Sequence, residues 1–323
     1  MIKLDEQLPL NSPLGLAIDP SNLCNFECKF CPTGYRKDIR TQRENGQMSL
    51  DLFKKIINDC KKWNIKIDNL KLWKDGEPFA NKNIIEMIKI ARHSECFKKI
   101  TITTNGILME RFLQDLVSFP PDLIIVSILS MSEKDYKLHS RDEKNLQKVI
   151  DILKKLHDLK KKTGNKLPEV NPKICSFPGI SKKMIEDFFL KFNSISDKPY
   201  VVGEPFNWDD SHKEDLLLGY DENKRKKNLK VCPYPFYSLQ VNFNGLVGVC
   251  CVDWSHKVIV GDLNKESLKE IWFGEKLKEL KYMWRKDQAK SHSICGKCNF
   301  YQNLPDYNNI DEYVINSNNE LDV

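Results

Sequence analysis

Six short runs rich in β-branched and aliphatic residues recur along the first two thirds of the chain, and helical patterns separate them. The runs are Leu14 to Asp19, Ile67 to Trp73, Lys99 to Thr104, Leu123 to Leu129, Val170 to Phe177 and Tyr200 to Gly203. Strands that alternate with helices pair in parallel, because a crossover of that length carries the chain back to the same edge of a sheet. The chain therefore reads as α/β with a parallel sheet. In "SLDLFKKIINDCKKW", Leu52, Phe53, Ile56, Ile57, Cys60 and Trp63 fall at helical spacing, and Ser49 is placed to cap the start. Four more helices are expected in "NIIEMIKIA", "LMERFLQDLV", "NLQKVIDILKKLHDL" and "SKKMIEDFFLKF".

After Gly203 the pattern changes. "EPFNWDDSHKEDLLLGYDENKRKKNLK" has no sustained period and reads as a connection between two units. "FYSLQVNFNGLVGVCCVDW" then gives two β runs joined through Asn244-Gly245, a strong hairpin signal. A helix is expected over "ESLKEIWFGEKLKELKYMW", followed by "CGKC", and the polar residues after Gln302 read as an acidic, partly disordered tail. The expected units are 1–205, a linker 206–230, a small unit 231–301 and the tail 302–323.

A chain of 323 residues can bury a substantial core without staples. No apolar run is long enough to span a bilayer, and "MIKLDEQLPLNSPLG" makes a poor signal peptide, so a cytoplasmic, membrane-free protein is expected. In that compartment eleven cysteines are better explained as metal ligands plus core thiols than as disulfides. Cys60, Cys96 and Cys175 lie in apolar helix or strand contexts and read as core. The net charge of +6 comes from scattered lysines and one dense run, "KRKKNLK", without interleaved aromatics or a known module, so no nucleic-acid partner is expected.

"CNFECKFCP" sets Cys24, Cys28 and Cys31 at C-x3-C-x2-C on the loop after the first strand. The carboxyl ends of parallel strands are where such folds build sites. Three converging thiolates suit a soft metal or an iron-sulfur cluster. A structural zinc site would want a fourth ligand nearby, and "PTGYRKD" offers neither Cys nor His. Three ligands thus point to a four-iron cluster with one iron open to a small molecule.

That spacing, with Phe30 just before the third cysteine and a βα repeat around it, resembles the radical S-adenosylmethionine (SAM) superfamily. Further stretches follow in the family's order. "KDGEP" resembles its GGEP element, with Asp75 in place of the first glycine, and the resemblance implies that Gly76 and Glu77 hold the amino end of SAM. "TTNG", with Asn105, ends the third strand where the family lines its cofactor pocket; Ser127 resembles its ribose-contacting residue and Arg141 an arginine paired with the SAM carboxylate. The implied fold is a partial (β/α)6 parallel barrel, and the implied fourth ligand of the cluster is SAM itself.

Cys232, Cys250, Cys295 and Cys298 follow C-x12-G-x4-C, a helical gap and C-x2-C, with Gly245 as the glycine. They resemble the twitch domain, a shortened SPASM extension built on a hairpin and a helix. With no cysteine after Cys298, the pattern implies one auxiliary [4Fe-4S] cluster with four protein ligands. Neighbouring strand residues face opposite ways, so one of Cys250 and Cys251 is expected to be a ligand, and Cys250 satisfies the glycine spacing.

The late cysteines are similar in spacing to those of the radical SAM dehydrogenases of aminocyclitol biosynthesis. The resemblance implies hydrogen abstraction from a substrate C–H bond and oxidation of a secondary alcohol on a sugar, nucleotide sugar or aminocyclitol, with a flavodoxin- or ferredoxin-type reductant. The alternatives are modification of a peptide or protein, disfavoured by the thirteen residues before the first strand, and a non-catalytic iron-sulfur redox protein. No catalytic base is assigned: Glu204, Asn207, Trp208 and Asp209 are equally ordinary loop residues. The oligomeric state is left open.

Overall fold

Each of the six anticipated runs forms a strand, and the run usually outlasts the strand by a residue. In the computed structural model these are β1 (Gly15–Ile18), β2 (Ile67–Leu72), β3 (Phe97–Thr104), β4 (Leu123–Ile128), β5 (Glu169–Cys175) and β6 (Tyr200–Val202). The model describes residues 3–28, 31, 43–140, 144–175, 180–202, 229–251, 253–286, 288–298, 300–304 and 306–316. The six strands lie in sequence order and pair in parallel from β1 to β6. This is the open parallel half of a βα barrel.

The crossovers are α1 (Leu50–Trp63), α2 (Ile84–Ser94), α3 (Leu113–Ser118), α4 (Glu133–Ser140), α5 (Asn145–Thr163) and α6 (Lys182–Phe192). Ser49 caps α1 by accepting from the Leu52 N–H, and Asn64 ends it in the left-handed region at φ 56°. Phe53, Ile56 and Ile57 of α1 are buried in the core with Leu70 and Leu72 of β2. Burying each such side chain contributes about 1.5–3 kcal/mol. The sequence missed α4, and it read a single helix where a 3-10 turn at Leu108–Phe112 leads into α3.

The hairpin forms as expected. β7 (Ser238–Val241) and β8 (Leu246–Gly248) are antiparallel, and Gly245 takes the positive φ of 91° that the turn requires. β7 also pairs in parallel with β1. The barrel strands and the hairpin therefore belong to one nine-stranded sheet, ordered β6-β5-β4-β3-β2-β1-β7-β8-β9, with an unanticipated β9 at Ile259–Asp262.

Two further expectations are corrected. The helix over 266–284 is two helices, α7 (Leu268–Trp272) and α8 (Glu275–Arg285). The break falls at Gly274, where a Cβ would sit 2.9 Å from the Glu270 carbonyl oxygen. The part of the tail that is described is ordered: α9 (Asp311–Asn316) buries Ile310 and Val314 with Leu4, Val231, Phe236 and Trp284. Asp311 also accepts the Val231 N–H at 2.9 Å. Two apolar side chains four residues apart are enough to dock a short helix that polar neighbours conceal.

Alternation divides the sheet into two faces. Leu16, Ile18, Leu70, Leu72, Leu239 and Val241 enter the helix-covered core. By register the opposite face carries Ala17, Lys71 and Gln240 at one level and Ser127 beside Lys173 further along. Among the described residues, no helix is long and apolar enough to cross a membrane.

Candidate active site at the carboxyl ends of the strands

The chain leaves β1 into a tightly pinned loop. Asn22 donates from Nδ2 to the Glu44 carbonyl at 2.9 Å and accepts the Gly46 N–H at 2.8 Å, so the return segment braces the cysteine loop. The Phe26 N–H points at Cys24 Sγ, 3.4 Å away, and the Cys31 N–H donates to the Cys28 carbonyl at 2.9 Å. Burial pushes the Cys24 thiol up to about 12, with Glu77 and Cys31 adding to it. Burial also raises Cys28 well above its ordinary value, with Cys31 and Cys24 adding to it. The three thiols thus repel one another as anions, an arrangement that a bound cation or cluster would relieve.

Gly76 and Glu77 meet this loop from β2. A Cβ on Gly76 would lie 2.3 Å from the Ser21 carbonyl oxygen, so only glycine lets the two loops touch. The Glu77 N–H donates to the Leu23 carbonyl at 2.9 Å. Its carboxylate is fully engaged by chain groups: Oε1 accepts from Phe79 N and Thr104 Oγ1 at 3.1 and 2.7 Å, and Oε2 from Asn105 N at 2.9 Å. Burial pushes its pKa up to about 7 against those three bonds. Glu77 therefore clamps the ends of β2 and β3 together. Asn105 donates to Asn25 Oδ1 at 2.8 Å and lies 3.9 Å from Cys24 Sγ, which brings "TTNG" onto the cysteine loop.

The structure therefore gathers Cys24, Cys28, Cys31, Gly76, Glu77 and Asn105 in one place. Ser127 sits on the open face of β4 opposite Lys173 and makes no hydrogen bond to that group among the described residues. Phe30, Arg141, Glu204, Asn207, Trp208 and Asp209 lie outside the described residues.

The second cysteine group also converges. Burial holds the Cys232 thiol well above its ordinary value, and Cys298, Cys295 and Cys251 add to the effect. Burial and Cys298 likewise push Cys295 up to about 12. Cys250 packs with Cys251 and Cys298 around Tyr234 and Phe300. Burial raises the Cys251 thiol, and the Tyr234 hydroxyl 3.7 Å away, Lys71 and Lys74 oppose that effect without overcoming it. The pair at 250–251 thus brings two sulfurs to the group.

Among the described residues, no three Cys, His, Asp or Glu side chains close around a single ion-sized point. Convergence shows instead in the mutual repulsion of the thiols. The donor chemistry of both groups, soft sulfur throughout, fits iron-sulfur clusters. The buried Tyr136 hydroxyl has no hydrogen-bond partner among the described residues, and burial, with the charge of Cys28, raises its pKa.

One constellation escaped the sequence reading. Asp75 is completely buried and accepts from Arg43 Nη1 at 2.9 Å, Lys74 Nζ at 2.8 Å and His256 Nε2 at 2.6 Å. Burial would raise its pKa, but Lys74, the His256 hydrogen bond and Arg43 outweigh it and hold the carboxyl below the usual range. The signal was present as the departure at Asp75 from the glycine of the GGEP-like element. Arg43 and His256 are remote in sequence and carry no local mark.

A family model described as the Radical SAM superfamily matches residues 18–191, and one for an iron-sulfur cluster-binding domain, SPASM, matches residues 232–299. A GTP 3',8-cyclase of Alkaliphilus oremlandii is 26% identical over 270 residues, which cover 78% of this chain and 77% of that protein. A probable GTP 3',8-cyclase of Methanococcus maripaludis is 28% identical over 143 residues, 42% of this chain; the match spans only 45% of the relative's length. Among solved structures, BtrN in complex with AdoMet and 2-DOIA superposes with a TM-score of 0.56 at 19% identity, covering 93% of this chain and 94% of that one. Streptococcus suis SuiB bound to the precursor peptide SuiA gives 0.62 at 16% identity, covering 93% and 72%.

Proposed function

Because the chain belongs to the radical SAM superfamily, we propose that it oxidises a secondary alcohol of a small polyhydroxylated substrate such as a sugar, nucleotide sugar or aminocyclitol. Its cofactors are S-adenosylmethionine and [4Fe-4S] clusters, including an auxiliary one. When bound, they supply a radical that removes a hydrogen atom from a substrate carbon and an acceptor for the electron left behind.

The chain's own residues divide the remaining work. Cys24, Cys28 and Cys31 would hold the first cluster, while Cys232, Cys295, Cys298 and one of Cys250 and Cys251 would hold the second. Gly76 gives the backbone close approach that the SAM pocket needs. Glu77 and Asn105 fix the ends of β2 and β3 around it. A flavodoxin- or ferredoxin-type protein would deliver the electron.

The observation that carries the oxidative reading is the position of the second cysteine group. β7 joins this group to the barrel's own sheet, and Lys71 and Lys74 act on Cys251 against the effect of its burial. An electron acceptor held there would sit on the same sheet as the strands that build the SAM pocket. An oxidation needs such an acceptor, whereas a redox-neutral rearrangement does not.

The sequence likeness to GTP 3',8-cyclases favours a second reading, a nucleotide cyclisation. Anaerobic protein with dithionite and SAM, incubated with GTP or with a panel of polyols and amino sugars, separates the two. A ketone product formed together with 5′-deoxyadenosine supports the dehydrogenase. A cyclised GTP product would replace it with the cyclase.

A further inference from the structure

We propose that the ends of β2, β1 and β7 form a polar subsite, made by Asp19, Trp73 and Asn242, that binds a substrate carrying hydroxyl or amino groups on neighbouring carbons. This rests on the reading of the preceding section and specifies the part of the substrate that is held. The register supplies the geometry. Ile18 is level with Leu72 on one side and Val241 on the other, so the next residues, Asp19, Trp73 and Asn242, come level on three adjacent strands. The ladder continues at this point, because the Asp19 N–H donates to the Val241 carbonyl at 2.8 Å. Their preceding neighbours all enter the helix-covered core, so the three side chains share the opposite face.

All three carry buried polar atoms with no partner among the described residues. These are both carboxylate oxygens of Asp19, the indole Nε1–H of Trp73 and the amide Oδ1 of Asn242. The Asp75 backbone N–H acts weakly on Asp19 but lies outside hydrogen-bond geometry. Lys74 and Arg43 are spent on Asp75. Burial and the charge of Asp75 push Asp19 up to about 7, the behaviour of a carboxyl short of donors. A buried polar group without a partner is costly, and three at one level of a sheet need a common explanation.

The donor and acceptor pattern defines the ligand. Asp19 and Asn242 offer acceptors side by side, and Trp73 offers one donor between the patch and the half-buried rim. Vicinal hydroxyl or amino groups satisfy both acceptors, and a hydroxyl oxygen accepts from the indole. The patch adjoins Lys74 and Asp75, directly before Gly76 and Glu77, so a substrate held there lies beside the expected SAM pocket.

The test is calorimetric titration of anaerobically reconstituted, SAM-loaded protein with D-glucosamine, myo-inositol and cyclohexanol. Wild-type protein is expected to bind the first two and not the third. Asp19→Asn and Trp73→Phe, each confirmed folded by thermal melting, should weaken glucosamine binding at least tenfold. Glucosamine and inositol failing to bind a protein that still cleaves SAM, or binding both variants as tightly as wild type, overturns the subsite and leaves the patch to ordered water. Failure of the wild type to cleave SAM under dithionite is a different result. It removes the radical reading, while the titrations still report on the patch.

Discussion

The two cysteine groups are assembled by opposite routes. Cys24, Cys28 and Cys31 lie within eight residues on one loop, which the Asn22 side chain, the Gly76 contact and the Asn105 bridge hold against the strand ends. The second group is drawn from the segment before β7, the turn after β8 and the residues after α8, and β7 ties it to the sheet by pairing with β1. A local site survives most changes elsewhere in the fold. A site assembled across the sheet depends on the strand pairing that delivers its parts.

The comparison breaks most severely if the first group is removed. Changing Cys24, Cys28 and Cys31 together to Ala should cut the iron of reconstituted protein from about eight to about four per chain and abolish 5′-deoxyadenosine formation. Loss of all the iron would mean that the second group cannot assemble independently. Cys295→Ala should also remove about four irons, yet leave SAM cleavage in place while abolishing the oxidised product. Iron analysis paired with product assay reads both outcomes.

Gly76→Ala sharpens the view of the first loop. A Cβ colliding with the Ser21 and Leu23 carbonyl oxygens cannot be relieved by a side-chain rotation, so a loss of about 3 kcal/mol is expected, together with weakened SAM binding. A melting temperature equal to that of wild type would show that the loops are not locked together.

The last effect is confined to one pH window and lies at Asp19. Its folded pKa of about 7 is above the ordinary carboxyl value of 3.8, so the folded chain keeps a proton that the unfolded chain loses in between. Stability from this group therefore falls as pH rises from about 4 to 7. Asp19→Asn should flatten that part of the stability profile, measured by chemical denaturation. A variant with the wild-type slope would leave Glu77, whose pKa is also raised to about 7, as the main source.

Much of this molecule is written locally. Alternating β and helical periods determined six parallel strands in order; Ser49 and Asn244-Gly245 marked a helix start and a turn, and the cysteine spacing marked both sulfur groups. These features are legible because each depends on neighbours in sequence, through backbone torsion, side-chain period or capping. Other features had no such mark. The docking of Ile310 and Val314 follows from a groove built by distant residues. The convergence of Arg43 and His256 on Asp75 joins groups 181 positions apart in the case of His256. Above all, the parallel pairing of β7 with β1 was decided by tertiary structure alone. A strand's own residues fix which face is buried, but its neighbour is chosen by where the rest of the chain leaves an open edge.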